Sequence, residues 1–128
     1  RLAGVPMNFP SPHHPVKSVK AMRMCCALQQ DQGALFKFAT AAFEAYFTDQ
    51  RNIDDPDILK AIADECGMEG AGLTTLSETP GVKDALRSNT QEVIDRGGFG
   101  SPTIFVNRKE IFFGNDQLPL VRQAAGAL

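Results

Sequence analysis

Two short runs in this sequence carry residue types at spacings that could do chemistry. The first is Gly98-Phe99-Gly100-Ser101-Pro102-Thr103, which leads into the apolar Ile104-Phe105-Val106. Proline fixes φ and removes an amide donor, so a plain tight turn before a strand is one reading. The other is a kinked edge at which the backbone N–H and C=O of Ser101 face outward, free to pair with a peptide-like ligand as an added strand. The second run, one hairpin later, is Phe113-Gly114-Asn115-Asp116-Gln117-Leu118. Gly114 supplies the freedom a sharp strand-to-helix turn needs. Amides at the helix start can hold a carboxylate, and Asp116 offers the opposite charge for an ammonium. Together they suit the α-carboxylate and α-amine of a γ-glutamyl group. Asp116 could equally cap the last helix, and the two roles are compatible.

The cysteines offer less. Cys25, Cys26 and Cys66 form no CxxC, and no His/Cys spacing suits zinc. Cys25 and Cys26 are adjacent in a helical pattern, so their side chains diverge by about 100°. They read as small core hydrophobes in a reducing compartment, which makes a cytoplasmic location the expectation.

The elements that must position the two runs follow from periodicity. Arg1 to Ala3 read as the last turn of a helix capped by Gly4. Four prolines, Pro6, Pro10, Pro12 and Pro15, frame a short strand from Val5 to Phe9 and then an extended loop. Ser18 is a candidate cap for a helix reaching about Gln32, with Val19, Met22 and Cys26 inward and Gly33 as its breaker. A second helix, about Leu35 to Asp49, carries Phe36, Ala39, Phe43, Tyr46 and Phe47 at helical spacing. Such a face is usually core, though it can also line a cleft for an aromatic substrate. Asp55-Pro56-Asp57 opens a third helix whose buried face is Ile58, Leu59, Ile62 and Ala63, and Cys66-Gly67 ends it. Gly70 and Gly72 suggest a loose connection. Thr79-Pro80 starts another helix, with Val82, Leu86, Val93 and Ile94 as its stripe and Gly97-Gly98 as its stop. Thr103–Val106, a β-branched and aromatic run, reads as a buried strand and Glu110–Phe113 as its return, a β-hairpin around Asn107-Arg108-Lys109. A final helix places Leu118, Val121 and Ala125 inward, with Pro119 tolerated in the first turn.

The chain has 128 residues, 43% hydrophobic and 22% charged, with a formal net charge of −2. That composition suits one globular domain and argues for neither nucleic acid nor an anionic membrane as partner. No apolar run approaches the roughly 20 residues that span a bilayer. A lone strand far from a two-stranded hairpin lacks sheet partners, because two strands alone are marginal.

Gly-x-Pro-Thr before an apolar strand is what precedes the second half of thioredoxin-like folds, where the X-Pro bond is cis. A cis bond costs proline only about 0.5–1 kcal/mol, so context can lock it. With the hairpin, the aromatic-Gly-Asn-Asp turn and the terminal helix, the run resembles the C-terminal signature of 2-hydroxychromene-2-carboxylate isomerases, glutathione-dependent enzymes of the kappa-class glutathione transferase type. Gly4 to Pro10 resembles that family's strand after its second helix, and Asn52 to Leu59 the start of a helix in its inserted domain. The resemblance implies an α/β fold: a thioredoxin-like sheet with an inserted all-helical subdomain, the first βαβ half largely absent from this chain. Residues 1–15 would be strand and loop of the thioredoxin-like domain, 16–95 the helical insertion and return helix, and 96–128 the C-terminal ββα half.

By the same resemblance, glutathione is the expected cofactor. Ser101, at Pro102, would bind its cysteinyl part through backbone, and Phe113, Gly114, Asn115 and Asp116 would hold its γ-glutamyl end. The family usually has Val where Ser101 stands and often Trp where Phe113 stands; the first contact is through backbone and the second stays aromatic. His13 and His14 fall where the family contacts substrate, and one of them could face the substrate carboxylate; from the residues alone they read as solvated loop histidines. The implied activity converts 2-hydroxychromene-2-carboxylate to an open-chain benzylidenepyruvate in aromatic-hydrocarbon breakdown. The family's catalytic serine lies in an N-terminal segment not seen here, so no catalytic residue is assigned in this chain, a longer parent is expected, and these 128 residues alone are expected to be inactive. The partners expected are a small aromatic substrate and, as an open option, a second copy of the chain. No metal site is expected. Two alternatives share the architecture: a DsbA-like thiol-disulfide oxidoreductase, which would need CxxC upstream, and a non-catalytic thioredoxin-fold interaction domain.

Overall fold

A computed structural model describes residues 4–126. The expected helix end at Arg1 to Ala3 lies outside the described residues. The elements are α1 (Val19–Ala27), α2 (Gln32–Phe47), α3 (Pro56–Glu65), α4 (Gly70–Ser77), α5 (Pro80–Asp95), β1 (Thr103–Val106), β2 (Glu110–Phe113), a 3₁₀ turn (Asn115–Gln117) and α6 (Leu118–Ala124). The architecture is mixed α/β, mostly helical with one two-stranded sheet among the described residues. The chain divides into two compact units, Arg1–Leu86 and Arg87–Leu128, with α5 running across the boundary.

The first unit is built on α1 to α4 around Met24, Phe38, Leu59 and Ile62. The expected strand from Val5 to Phe9 does not form. Strand pairing needs a neighbour, and none of the described residues supplies one there. The segment is instead tied to the end of α2: Asn8 N donates to Phe47 O at 2.6 Å and Thr48 Oγ1 donates to Pro6 O at 2.9 Å.

Helix α1 stops at Ala27, short of Gln32, and the Ser18 side chain makes no capping bond. Gly33 is not a breaker either, since it sits in the first turn of α2. Asp31 accepts from Ala34 N at 3.0 Å, and such a cap stabilises by about as much as an interior glycine costs. Asp55 caps α3 ahead of Pro56 as expected, and Gly67, at φ 81°, ends it. Gly67 N donates to Asp64 O and Met68 N to Ala63 O, the bond pair of a Schellman motif.

The expected loose connection at Gly70 and Gly72 is helix α4. Glu69 Oε2 accepts from Gly72 N at 2.6 Å, and Asp64 Oδ1 accepts from Gly70 N at 2.8 Å. A side chain at Gly70 would collide with the Lys60 carbonyl, so glycine here permits close approach of α4 to α3.

Several inward faces differ from expectation. In α1 the buried residues are Ala21, Met24 and Cys26, while Val19 and Met22 are exposed. In α2 they are Phe38, Ala42, Ala45 and Tyr46, while Phe36 and Phe43 are exposed. That helix is apolar nearly all round, so spacing alone does not choose its core side. Helix α5 buries no residue, and Ile94 is exposed.

In the second unit, Gly97 (φ 89°) ends α5. Gly97 N donates to Ile94 O and Gly98 N to Val93 O, again a Schellman pair, which launches the chain into residues 98–102. Strands β1 and β2 pair antiparallel, with Thr103 opposite Phe113 and Val106 opposite Glu110. Asn107 and Arg108 both have positive φ, 52° and 59°, in the tight turn closed by Lys109 N to Val106 O. Asp116 does not cap α6. Gln117 holds the cap position with no side-chain bond, because a 3₁₀ turn intervenes. Pro119 does fall in the first turn of α6, and Leu118 is exposed rather than inward.

Candidate functional site

Each unit holds one cluster of interest. In the second unit, the Ser101–Pro102 bond is cis, as expected. Pro102 O accepts from Gly114 N at 3.0 Å. The link at 101–102 and the turn at 113–116 are therefore direct neighbours, although eleven residues, folded back as the hairpin, separate Pro102 from Gly114 in sequence.

The neighbours of this bond are specific. Thr103 Oγ1 donates to Gly100 O at 2.5 Å, closing the loop before β1. Gly100 lies beneath the Phe113 ring, where an added Cβ would strike it. Phe99 packs on Phe113 with centroids 4.7 Å apart. Gly114 adopts φ 99° and ψ 150°, a region essentially reserved for glycine, and a Cβ there would meet the Asp116 carboxylate. Ser101, Pro102, Asn115 and Asp116 are exposed, and Asp116 Oδ2 accepts from Gln117 Nε2 at 3.2 Å. The arrangement presents backbone polar groups, an aromatic pair and one carboxylate on neighbouring segments.

In the first unit, the 9–18 segment, α1 and α2 line a cleft, open on one side, of about 560 Å³. Its walls are mostly aromatic and aliphatic, with Phe9, Met22, Phe43 and Phe47 prominent and no lysine, arginine or carboxylate among the lining residues. His14 lines it, whereas His13 does not and is exposed. His14 Nδ1 and the Tyr46 hydroxyl are hydrogen-bonded at 3.1 Å, and the Phe9 ring meets His14 edge-on at 4.9 Å. The Cys25 thiol is on the wall, and burial, with a smaller contribution from the neighbouring Cys26, pushes its pKa up. Such a thiol is a poor nucleophile at neutral pH.

In the sequence Tyr46 is one member of an aromatic stripe, and its pairing with His14 does not show. The available signal was that it is the chain's one tyrosine, set in an apolar helix where a buried phenol needs a partner. Phe9 and Cys25 likewise read in the sequence only as strand and core. Among the described residues, no group of three or more His, Cys, Asp or Glu is placed to hold a metal ion, and no helix is long and apolar enough to cross a membrane.

Comparison with known proteins adds the following. The family model described as a DSBA-like thioredoxin domain matches residues 1–126. The chain is 30% identical over 105 residues to the uncharacterized protein YwbO of Bacillus subtilis, covering 80% of this chain and 51% of that protein. It is 31% identical over 97 residues to a 2-hydroxychromene-2-carboxylate isomerase of Sphingobium xenophagum, covering 73% and 48%. It is 25% identical over 133 residues to human glutathione S-transferase kappa 1, covering 95% and 59%. A solved 2-hydroxychromene-2-carboxylate isomerase superposes with a TM-score of 0.77 at 21% identity, over 98% of this chain and 60% of that one. The chain thus spans about half to three-fifths of the length of these relatives.

Proposed function

The chain belongs to the DsbA-like thioredoxin domain family and has its thioredoxin-like fold, and from that premise we propose that it is the glutathione-holding part of an isomerase acting on 2-hydroxychromene-2-carboxylate. The observation that carries this reading is the 3.0 Å bond from Gly114 N to Pro102 O. It sets the two segments expected to hold opposite ends of one tripeptide side by side, within the reach of three residues at about 3.3–3.6 Å each. Relatives whose names include that isomerase and a glutathione transferase support the same ligand and reaction class.

The residues fit the ligand's groups. Exposed Ser101 offers main-chain pairing to the cysteinyl unit, the mode by which an extended peptide adds to a sheet edge. Asp116 offers a carboxylate to the γ-glutamyl ammonium, a charge-assisted hydrogen bond. Phe99 and Phe113 form an apolar shoulder beside the link. Gly114 keeps the turn in the one shape that leaves its amide on Pro102. When bound, glutathione supplies a thiol for nucleophilic catalysis. The first unit's aromatic cavity, with His14 on its wall, is the place proposed for the aromatic substrate.

Two measurements test this. Calorimetric titration of glutathione should show one site, weakened about tenfold by Asp116→Asn, the order expected for one charged hydrogen bond. Turnover of 2-hydroxychromene-2-carboxylate by the protein at its native length should rise when glutathione is added. No binding heat, or a rate indifferent to the thiol, removes the reading.

A further inference from the structure

The cavity in the first unit has no lysine, arginine or carboxylate on its walls and one buried polar group with bonding capacity to spare. Tyr46 is 5% exposed, and its hydroxyl is hydrogen-bonded to His14 Nδ1. A phenol oxygen has one donor and two lone pairs, so this bond leaves capacity over. The remaining polar groups on the wall are weaker discriminators. Ser18 is exposed and already solvated, and a thiol such as that of Cys25 bonds weakly.

We propose that Tyr46, oriented by His14, is the specificity-determining contact of this cavity: it selects an aromatic ligand bearing a hydroxyl or carbonyl oxygen over the same ring system without one. The pairing serves both oxygen types. With Nδ1 accepting, Tyr46 donates to His14 and its oxygen accepts from a ligand hydroxyl. With Nδ1–H donating, the Tyr46 hydroxyl is free to donate to a ligand carbonyl. Histidine alone among side chains offers that tautomer choice near neutral pH. A volume of about 560 Å³ accommodates two or three fused rings against Phe43, Phe47 and Met22. A ring without oxygen leaves the buried pair with no added partner, which is how a polar site in an apolar cavity discriminates.

The inference rests on the reading above only in taking this cavity as the aromatic site; it does not need glutathione. The test is therefore run without the thiol, on the protein at its native length, with 2-naphthol and naphthalene as probes. The wild type should bind 2-naphthol about fivefold more tightly than naphthalene, the ratio one net hydrogen bond gives. Tyr46→Phe should bring that ratio below about two while changing naphthalene affinity little. If Tyr46→Phe fails to fold, His14→Ala at an exposed position gives the same readout, and its ratio should also fall. A wild-type ratio near one, absence of binding by both probes, or an unchanged ratio in a folded variant overturns the proposal. Glutathione titration separately decides the reading above, so the two can fail independently.

Discussion

The Gly114 amide donates to the Pro102 carbonyl at 3.0 Å, and this one bond fixes the 113–116 turn against the Ser101–Pro102 link. Glycine is required on its donor side. With φ 99° and ψ 150°, and with Asp116 where a Cβ would stand, no other residue keeps the amide in place without strain.

Gly114→Ala should therefore cost about 1–3 kcal/mol of stability in the second unit and weaken glutathione about tenfold or more. Asn115→Ala, at an exposed neighbouring position, should leave stability nearly unchanged. Denaturant melts and calorimetry check both. Equal effects of the two substitutions would show that the turn's shape does not matter.

Arg108 holds φ 59° in the hairpin turn beside Asn107 at 52°. Asn-Gly is the favoured pair for a tight hairpin with two left-handed residues, and an ordinary side chain there costs roughly 1–2 kcal/mol. Arg108→Gly should recover about 0.5–1 kcal/mol of this after glycine's entropy cost. Amides of Thr103–Val106 and Glu110–Phe113 should exchange with solvent several-fold more slowly, with glutathione affinity unaltered.

Lys20 Nζ donates to Asp54 Oδ1 at 2.8 Å and to Asp54 O at 2.7 Å, joining α1 to the turn before α3. The hydrogen bond from Lys20, ahead of the ammonium's charge, holds the Asp54 carboxyl below its ordinary range. A lowered folded-state pKa means the contribution is present above the unfolded value of about 3.9 and is lost as pH falls through the lowered one. The pair is still partly open to solvent, so the effect is small and salt-sensitive. Urea melts of wild type and Asp54→Asn should differ at neutral pH and converge near the acid limit. A gap that persists in acid would contradict the assignment.

The parts legible in the sequence were those set by local rules. The hairpin keeps its expected bounds because two runs rich in β-branched and aromatic residues flank a polar turn. The Asp55-Pro56 start and Gly67 stop of α3, and the Gly97-Gly98 stop of α5, followed from capping chemistry. What failed was set by competition or by distant partners. Gly33 reads as a breaker and Gly70 and Gly72 as a loose connection, but carboxylates at Asp31, Asp64 and Glu69 satisfy the amides at or beside them. The inward side of α2 was ambiguous because phenylalanines occupy both sides, and Phe38 rather than Phe43 fills the core. Residues 5–9 carry a strand pattern with no strand placed to pair with them among the described residues. In the site, adjacency of 101–102 and 113–116 was legible through the hairpin register, whereas the His14–Tyr46 bond spans 32 positions and left only a lone tyrosine as its trace.

The central claim, that one tripeptide thiol bridges the Ser101–Pro102 link and the turn at Asp116, is tested most directly by titrating glutathione into isotope-labelled protein and following amide resonances. The account predicts that Ser101, Thr103, Gly114, Asn115 and Asp116 shift together with a single dissociation constant, and that removing the γ-glutamyl group abolishes the shifts at Asn115 and Asp116 first. Shifts confined to one of the two segments, or to neither at millimolar glutathione, would contradict it.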